Sequence, residues 1–249
     1  MPTIQTLNTH YLENRNAYPE PFRLRIHRSL SWLKRAEMML ADGYDELDRQ
    51  LKQSRLPESA WVALENTKSD LDFGFVSLWI AFNAAYAYEL ESANLLHDKA
   101  SFREFITTVC SLDREKQIYN LVWRVYSSDI QALLKNQFVF QPFWDFHNKK
   151  ITEAVFQEKF DAALKSVNRA LAAQDTDQLL MIVFDRLYTL RNQLIHGGAT
   201  WHSSANRKQL QSACAFLMKL LPLFLMVMME NPNLKLWGKP FYPYVRNDQ

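Results

Sequence analysis

Apolar residues recur at helical spacing along most of the chain, and no stretch shows the alternation typical of strands. Residues 1–20 are predicted to be an irregular N-terminal arm. Residues 137–149, with Pro142 and five aromatic residues, are predicted to be a packed loop. A capping box from Ser101 to Glu104 predicts a helix that starts at or near Ser101. The other predicted helices cover residues 22–55, 57–67, 70–92, 114–136, 152–173, 177–196 and 204–230.

The predicted helix over 70–92 is apolar on every side in its middle, which is typical of a central, buried helix. Pro222 is expected to kink or interrupt the last helix, because proline lacks the backbone donor. Glycine is scarce, with 5 residues in 249, and 48% of residues are hydrophobic, so a sizeable helical core is expected. We therefore predict one all-α bundle domain over residues 1–249, with an elaborated N-terminal half and an inserted middle section.

Charge and cysteine content exclude several functional classes. The net charge of +2 is too small for a dedicated nucleic-acid binder, so any RNA contact has to come from local clustering. Cys110 and Cys214 form no disulfide framework and no zinc spacing. The start of the chain is not a signal peptide, and the ten apolar residues Leu220–Met229 contain a proline and are too short for a bilayer. A cytoplasmic protein without a membrane partner is predicted.

The segment RLYTLRNQLIHGGATWH, residues 186–202, holds the candidate chemistry. On a helical wheel Arg191 falls within the apolar sector, whereas Asn192 and His196 lie on the polar edge. Arg191 and His196 are about 140° apart on an ideal helix. They converge only if the helix ends near His196 or if a second copy of the chain completes the site.

Gly197 and Gly198 favour a helix that ends at His196, because glycine takes the left-handed cap conformation without strain. The helix dipole at that end favours the imidazolium form, and a histidine so placed can act as general acid or base. Two simpler interpretations stay open. His196 is then only a favourable cap, and Arg191 is a structural member of an ion pair.

The segment LRNQLIHGG at 190–198 resembles the signature of HEPN-domain proteins, an all-α superfamily rich in RNases. Arg191, Asn192 and His196 match its motif, and FGFVSLWIAFNAAYAY at 73–88 is similar to its earlier core helix. The resemblance implies a HEPN-like core at about 69–92 and 176–230, and a two-fold dimer in which two motifs share a cleft. It implies RNA cleavage without metal or cofactor. His196 would act as acid or base, Arg191 would stabilise charge on the phosphate, and Asn192 would orient His196 or the phosphate.

Further residues have two interpretations each. Asn83, a polar residue on the aromatic helix, is either satisfied by backbone or supports Arg191. After the motif come residues that either hold RNA by stacking and phosphate contact or merely form a loop and a helix start. These are Trp201, Asn206, Arg207 and Lys208. Minimal toxins of the group often carry a tyrosine two residues after the histidine, where this chain has Gly198.

Two functions follow as hypotheses. The first is a homodimeric ribonuclease in stress response or phage defence, with RNA as substrate and an antitoxin or regulatory protein as a further partner. The second is a non-catalytic module that binds RNA or nucleotides, or that regulates another protein. A metal enzyme is disfavoured, because the histidines are scattered and show no paired ligand spacing. They are His10, His27, His97, His147, His196 and His202.

Overall fold

The computed structural model describes residues 1–40, 70–87, 95–198, 200–201, 204, 206–240 and 242, with only the backbone for 95–100. In this part of the chain the regular elements are helical, which confirms the all-α prediction. Short 3₁₀ turns lie at Arg15–Ala17, Gln137–Val139 and Lys235–Trp237. The helices are α1 Ile4–Asn14, α2 Glu20–Leu40, α3 Leu71–Tyr86, α4 Leu95–Leu112, α5 Gln117–Asn120, α6 Ser127–Lys135, α7 Gln141–His147, α8 Glu153–Ala173, α9 Thr176–Ile195 and α10 Arg207–Glu230.

The predicted irregular arm is wrong, because residues 1–20 contain helix α1. The Thr3 hydroxyl accepts a hydrogen bond from the Thr6 amide and caps the helix. Ile4, Leu7 and Tyr11 form a narrow stripe that is buried against α2 and α10. Three apolar residues in a polar segment are a weak signal in the sequence, and the helix is held by this tertiary packing.

Helices α2 and α3 pack closely and run antiparallel, as the hydrogen bonds of two α2 side chains show. The Ser29 hydroxyl donates to the Ala81 carbonyl at 2.7 Å. The fully buried guanidinium of Arg25 donates from Nη1 to the carbonyls at the end of α3, those of Ala84, Ala85 and Ala87, at 2.8–3.1 Å. These carbonyls have no partner within the helix, and Arg25 supplies one. Nothing in the sequence pattern around Arg25 indicates this role.

Helix α3 is central, as predicted, although its outer side is open to solvent. Its inner face contributes aromatic rings to a core shared with α4, α9 and α10. Phe82 stacks on Phe184 with ring centroids 4.3 Å apart, and Phe184 in turn lies near Phe224. Phe73 is 59% exposed on the outer side. The part of the predicted helix beyond residue 87 lies outside the described residues.

The middle section corrects three predictions. Ser101 lies inside α4 and does not start a helix. The predicted helix over 114–136 divides into α5, a π-helical turn at Leu121–Val125, and α6. Residues 137–149 are not a plain loop, because they contain α7 with Pro142 in its first turn, where proline is well tolerated. The part of the predicted helix over 22–55 that follows residue 40, and the predicted helix over 57–67, lie outside the described residues.

Helix α10 runs without interruption from Arg207 to Glu230 and includes Pro222, so the expected break is absent. It is long and apolar enough to cross a membrane by length and composition, but 72% of its apolar window is buried within the bundle. A core helix shows the same properties. Cytoplasmic localisation therefore stays a prediction.

Candidate functional site

The C-terminal end of α9 is closed by two glycine-dependent hydrogen bonds. The Gly198 amide donates to the Gln193 carbonyl at 2.7 Å, and the Gly197 amide donates to the Leu194 carbonyl at 3.2 Å. Gly197 has φ +68°, the left-handed conformation that a side chain disfavours. This is the Schellman arrangement, with His196 at the C-cap. The prediction of a glycine-terminated helix at His196 is confirmed.

The three motif residues lie within five positions of each other at this end. Arg191 is half-buried, and its Nη1 donates to the Asn192 carboxamide oxygen at 3.0 Å. The His196 side chain is exposed, one turn further on. Within the described residues it makes no hydrogen bond to either. The fold thus joins Arg191 to Asn192 and leaves the imidazole facing solvent.

Gln193 was missed in the sequence analysis, yet it connects three segments around His196. Its Nε2 donates to the Phe138 carbonyl at 2.6 Å, and its Oε1 accepts from Asn206 Nδ2 at 2.6 Å. Its backbone carbonyl accepts the Gly198 amide. Gln193 therefore fixes the end of α9 to the aromatic middle section and to the start of α10. Nothing in the spacing of the sequence indicates these long-range partners.

The residues after the motif connect the loop to the start of α3. Arg207 Nη2 lies 3.1 Å from Asp72 Oδ2 in a partly buried ion pair. Trp201 Nε1 donates to Asp70 Oδ2 at 3.2 Å, while the residue is 62% exposed. Asn206 bonds Gln193, as described, and Lys208 is exposed. Of the four predicted RNA contacts, Trp201 and Lys208 are exposed, with Trp201 held by Asp70, whereas Arg207 and Asn206 are engaged in structural contacts.

Asn83 lies away from the motif. Trp79 contacts Tyr188, and Phe82 stacks on Phe184, so α3 and α9 run antiparallel. Asn83 is therefore level with Phe184, seven residues before Arg191, which corresponds to about 10 Å along the helix axis. Within one chain the geometry does not join Asn83 to Arg191, so a supporting contact between them stays untested.

A deeper arginine, Arg186, occupies the same helix and was not singled out in the sequence. It is 1% exposed, and its guanidinium carbon lies 4.1 Å from the centroid of the Phe140 ring. Its Nη1 is 3.6 Å from a carboxylate oxygen of exposed Asp185. Burial lowers the pKa of this guanidinium, and Asp185 partly offsets that effect. The buried arginine of α9 is thus Arg186, while Arg191 faces the protein edge.

Arg191 is flanked by exposed apolar side chains. Tyr188 and Ile195, one turn before and after it on α9, are 52% and 48% exposed. All three residues lie on one side of α9, because they are three, four and seven positions apart. We call Tyr188, Arg191 and Ile195 the motif face. An exposed apolar surface of this kind indicates an interaction site.

The described residues contain no group of three or more histidine, cysteine, aspartate or glutamate side chains that could hold a metal ion. Both thiols are free, and burial raises the pKa of Cys110 and of Cys214 to about 12. Neither is an activated nucleophile.

Comparison of the chain with protein-family models, curated proteins and solved structures finds no match. The similarity to HEPN-domain proteins therefore rests on the residues quoted above.

Proposed function

We propose that the protein is a metal-independent endoribonuclease of the HEPN type that works as a homodimer. The observation that carries the proposal is the arrangement at the end of α9. Arg191 and Asn192 are joined by a hydrogen bond at this end, and His196 follows as an exposed C-cap. A helical cap needs neither the arginine nor the amide, so their combination with the histidine favours a chemical role.

The chemistry uses groups already present. The 2′-hydroxyl of RNA loses its proton to His196 or to the His196 of a second copy, and its oxygen forms a bond to phosphorus. The bond from phosphorus to the 5′-oxygen breaks, and an imidazolium returns a proton to that oxygen. Arg191 stabilises the charge on the phosphate through its planar N–H donors. Asn192 orients the guanidinium through its 3.0 Å hydrogen bond.

A second copy of the chain supplies what one copy lacks. Within one copy Arg191 bonds Asn192, and the exposed imidazole of His196 makes no hydrogen bond to either among the described residues. Two-fold pairing through exposed Tyr188 and Ile195 brings each arginine near the partner's motif and buries apolar surface. The proposed dimer therefore accounts both for the exposed apolar residues and for the separation within one helix.

The direct test is cleavage of varied single-stranded RNAs in EDTA by the wild type and by His196→Ala. The expected result is cleavage by the wild type and strong loss in His196→Ala and Arg191→Ala. His147→Ala is the matched control, because His147 is also an exposed histidine at a helix end. No cleavage by any protein across the RNAs, or equal cleavage by wild type and His196→Ala, contradicts the proposal.

The dimer is tested by mixing two inactive variants, Arg191→Ala and His196→Ala, after joint unfolding and refolding. If one site takes its arginine and histidine from different copies, each mixed dimer holds one intact site. Random mixing then restores about a quarter of wild-type activity, since half of the dimers are mixed and each has one of two sites. Failure to regain activity while the mixture forms dimers argues against a shared site.

We place this activity in stress response or phage defence, with an antitoxin or regulatory protein as a further partner, on the strength of the resemblance. A non-catalytic binding module is the second candidate, favoured by the engagement of Arg191 with its own neighbour Asn192. Its mark is an RNA that binds near the motif and stays intact. This candidate is supported by an RNA that binds the wild type, does not bind Arg191→Ala, and is recovered without any cleavage product.

A further inference from the structure

Helix α2 concentrates positive charge in a chain whose net charge is small. It contains five basic and two acidic residues, a formal charge of +3, whereas the whole chain carries +2. The neutral average of the chain therefore conceals a local cluster. One of the five, Arg25, is buried at the end of α3, and the others reach the surface.

Three residues of this helix form a line on its surface. Arg28, Trp32 and Arg35 stand four and three positions apart and so share one side, with a length of about 10 Å. Trp32 is 40% exposed and Arg35 is exposed. We call these three residues the α2 stripe. Its neighbours on that side include the uncharged residues Leu24, Ser31, Met38 and Met39, and the charged neighbour Arg25 is fully buried.

The Arg28 end of the α2 stripe is positioned without loss of charge. Arg28 Nη1 donates to the backbone carbonyl of Tyr242, whose residue is strongly exposed. A guanidinium has five N–H donors, so this hydrogen bond fixes the group and leaves further donors for a ligand. The neighbouring ion pair of Lys34 with Glu37, at 2.6 Å, lies on another side of the helix. The carboxylate of Glu37 therefore does not neutralise the stripe.

The α2 stripe is separate from the motif face. Helix α2 is fixed to α3 by Ser29 and Arg25, while α9 contacts α3 through Trp79 and Phe82. The polar contacts with α2 and the aromatic contacts with α9 use different sides of α3. A dimer formed through Tyr188 and Ile195 would therefore leave the stripe accessible.

We propose that the α2 stripe binds single-stranded RNA, with a base stacked on Trp32 and backbone phosphates contacted by Arg28 and Arg35. An indole between two guanidinium groups matches a strand that presents flat bases and regularly spaced negative charges. The proposal rests on the proposed function for its biological role. The stripe would supply the local positive charge for RNA binding that a chain with a net charge of +2 otherwise lacks. Binding itself is measurable without cleavage.

The stripe favours a nucleic acid over an anionic membrane. The apolar face of α2, with Ile26, Leu30 and Leu33, is buried within the bundle and is not available for insertion. What remains outside on this side is the Trp32 ring between two arginines, with Met38 exposed and Leu24 and Met39 half-buried beside it. That surface suffices to stack a base, but interfacial helices bury a whole apolar face in the bilayer.

The test measures fluorescence anisotropy of a labelled 2′-O-methyl RNA of about twelve nucleotides, which fits the range of single-strand site sizes. This RNA lacks the free 2′-hydroxyl, so binding is read without cleavage. The variants of the full chain are Trp32→Ala, Trp32→Phe, Arg35→Gln, Arg28→Gln and the double variant of both arginines. Lys34→Gln is the matched control, because it removes one positive charge from the adjacent position on another side of the helix. Thermal unfolding checks that each variant is folded.

The expected result is weaker binding by about tenfold in Trp32→Ala, with most affinity kept in Trp32→Phe, which retains a ring. Replacing both stripe arginines lowers the salt slope of log K by about 1.4, since single strands contribute about 0.7 per phosphate contact. Lys34→Gln is expected to stay near wild type. Equal losses of affinity in Lys34→Gln and Arg35→Gln would mean diffuse electrostatic attraction and would overturn the proposal. Unchanged affinity in all variants, or binding to anionic vesicles instead of the RNA, would overturn it as well.

Failure of the stripe and failure of the proposed function give different results. If the stripe variants bind like wild type while His196→Ala loses cleavage, only the stripe is refuted. If the stripe variants lose binding and no protein cleaves RNA, the stripe stands as the site of a binding module.

Discussion

Replacing Arg191 with alanine decides whether this residue serves folding or chemistry. The guanidinium is half-buried, and within the described residues its side chain makes one hydrogen bond, to Asn192 beside it on α9. That bond connects no two elements. If Arg191 were a structural ion-pair member, its loss would leave an unpaired buried charge on the partner. No acidic partner of Arg191 occurs in the part of the chain that is described.

The expected loss of stability is small. One hydrogen bond between partly exposed groups contributes about 0.5–1.5 kcal/mol to the free energy of unfolding. Alanine offsets a few tenths of this loss by its helix propensity, about 0.2 kcal/mol better than arginine. Arg191→Ala should therefore lower the free energy of unfolding by less than about 1.5 kcal/mol, or Tm by a few degrees at this chain length, about 2–4 °C per kcal/mol.

Arg25→Met is the control that shows what a structural arginine does. Arg25 is fully buried and donates to three carbonyls at the end of α3. Methionine keeps much of the length, so the main loss is the satisfaction of those carbonyls. An unsatisfied buried acceptor costs about 1–3 kcal/mol, and three of them set an expected loss of at least about 3 kcal/mol.

Urea unfolding followed by circular dichroism, with thermal melts, measures both variants, and RNA cleavage in EDTA is measured on the same preparations. We expect Arg191→Ala to keep near-native stability but lose cleavage, and Arg25→Met to lose stability. A loss of 3 kcal/mol or more in Arg191→Ala, comparable to that of Arg25→Met, would refute it. Arg191 would then be a structural residue, and the ribonuclease proposal would lose its main support.

Three further predictions concern local features. Gly197→Ala should lower stability by about 1–2 kcal/mol in thermal melts, because φ is +68° and a side chain disfavours this conformation. No atom lies within 4 Å of the added carbon, so a steric clash does not contribute. A neutral result would show that the left-handed conformation is not needed. Arg186→Met should leave Tm unchanged or raise it, since methionine can pack on Phe140 without a poorly satisfied charge, whereas a drop of several degrees would mean that the cation–π contact dominates. Stability should fall as pH rises above about 9, because Cys110 and Cys214 titrate near 9 when unfolded and near 12 when folded, and the double alanine variant should show a shallower fall.

The fold was predictable where the signals are local. Helices α8 and α9 begin within one residue of the predicted positions, because Thr152 and Asp175 cap them through side-chain oxygens next to long apolar stripes. Helix α1 was missed because its stripe of three residues gains meaning only against α2. Ser101 misled in the opposite direction, since a capping sequence can also occur inside a helix, where the backbone amides already have partners.

The candidate site divides in the same way. The order of Arg191, His196 and Gly197 along one helix, and the end of that helix, follow from short-range chemistry and were predicted. The partners of Gln193 and Arg207 were not, because Phe138 and Asp72 are 55 and 135 positions away in the chain. No periodicity encodes such pairs, which depend on how the helices pack.

The arginines of this protein differ in what surrounds them, and that difference bears on function. Arg25 donates from Nη1 to three carbonyls at the end of α3, and Arg186 is buried over the ring of Phe140. Both side chains are already held by contacts within the fold. Arg191 is held at its position by an adjacent amide and is otherwise directed to the protein edge, beside exposed Tyr188 and Ile195. An arginine that is oriented without being neutralised keeps its donors for an external anion, and a phosphate is the anion that its geometry suits.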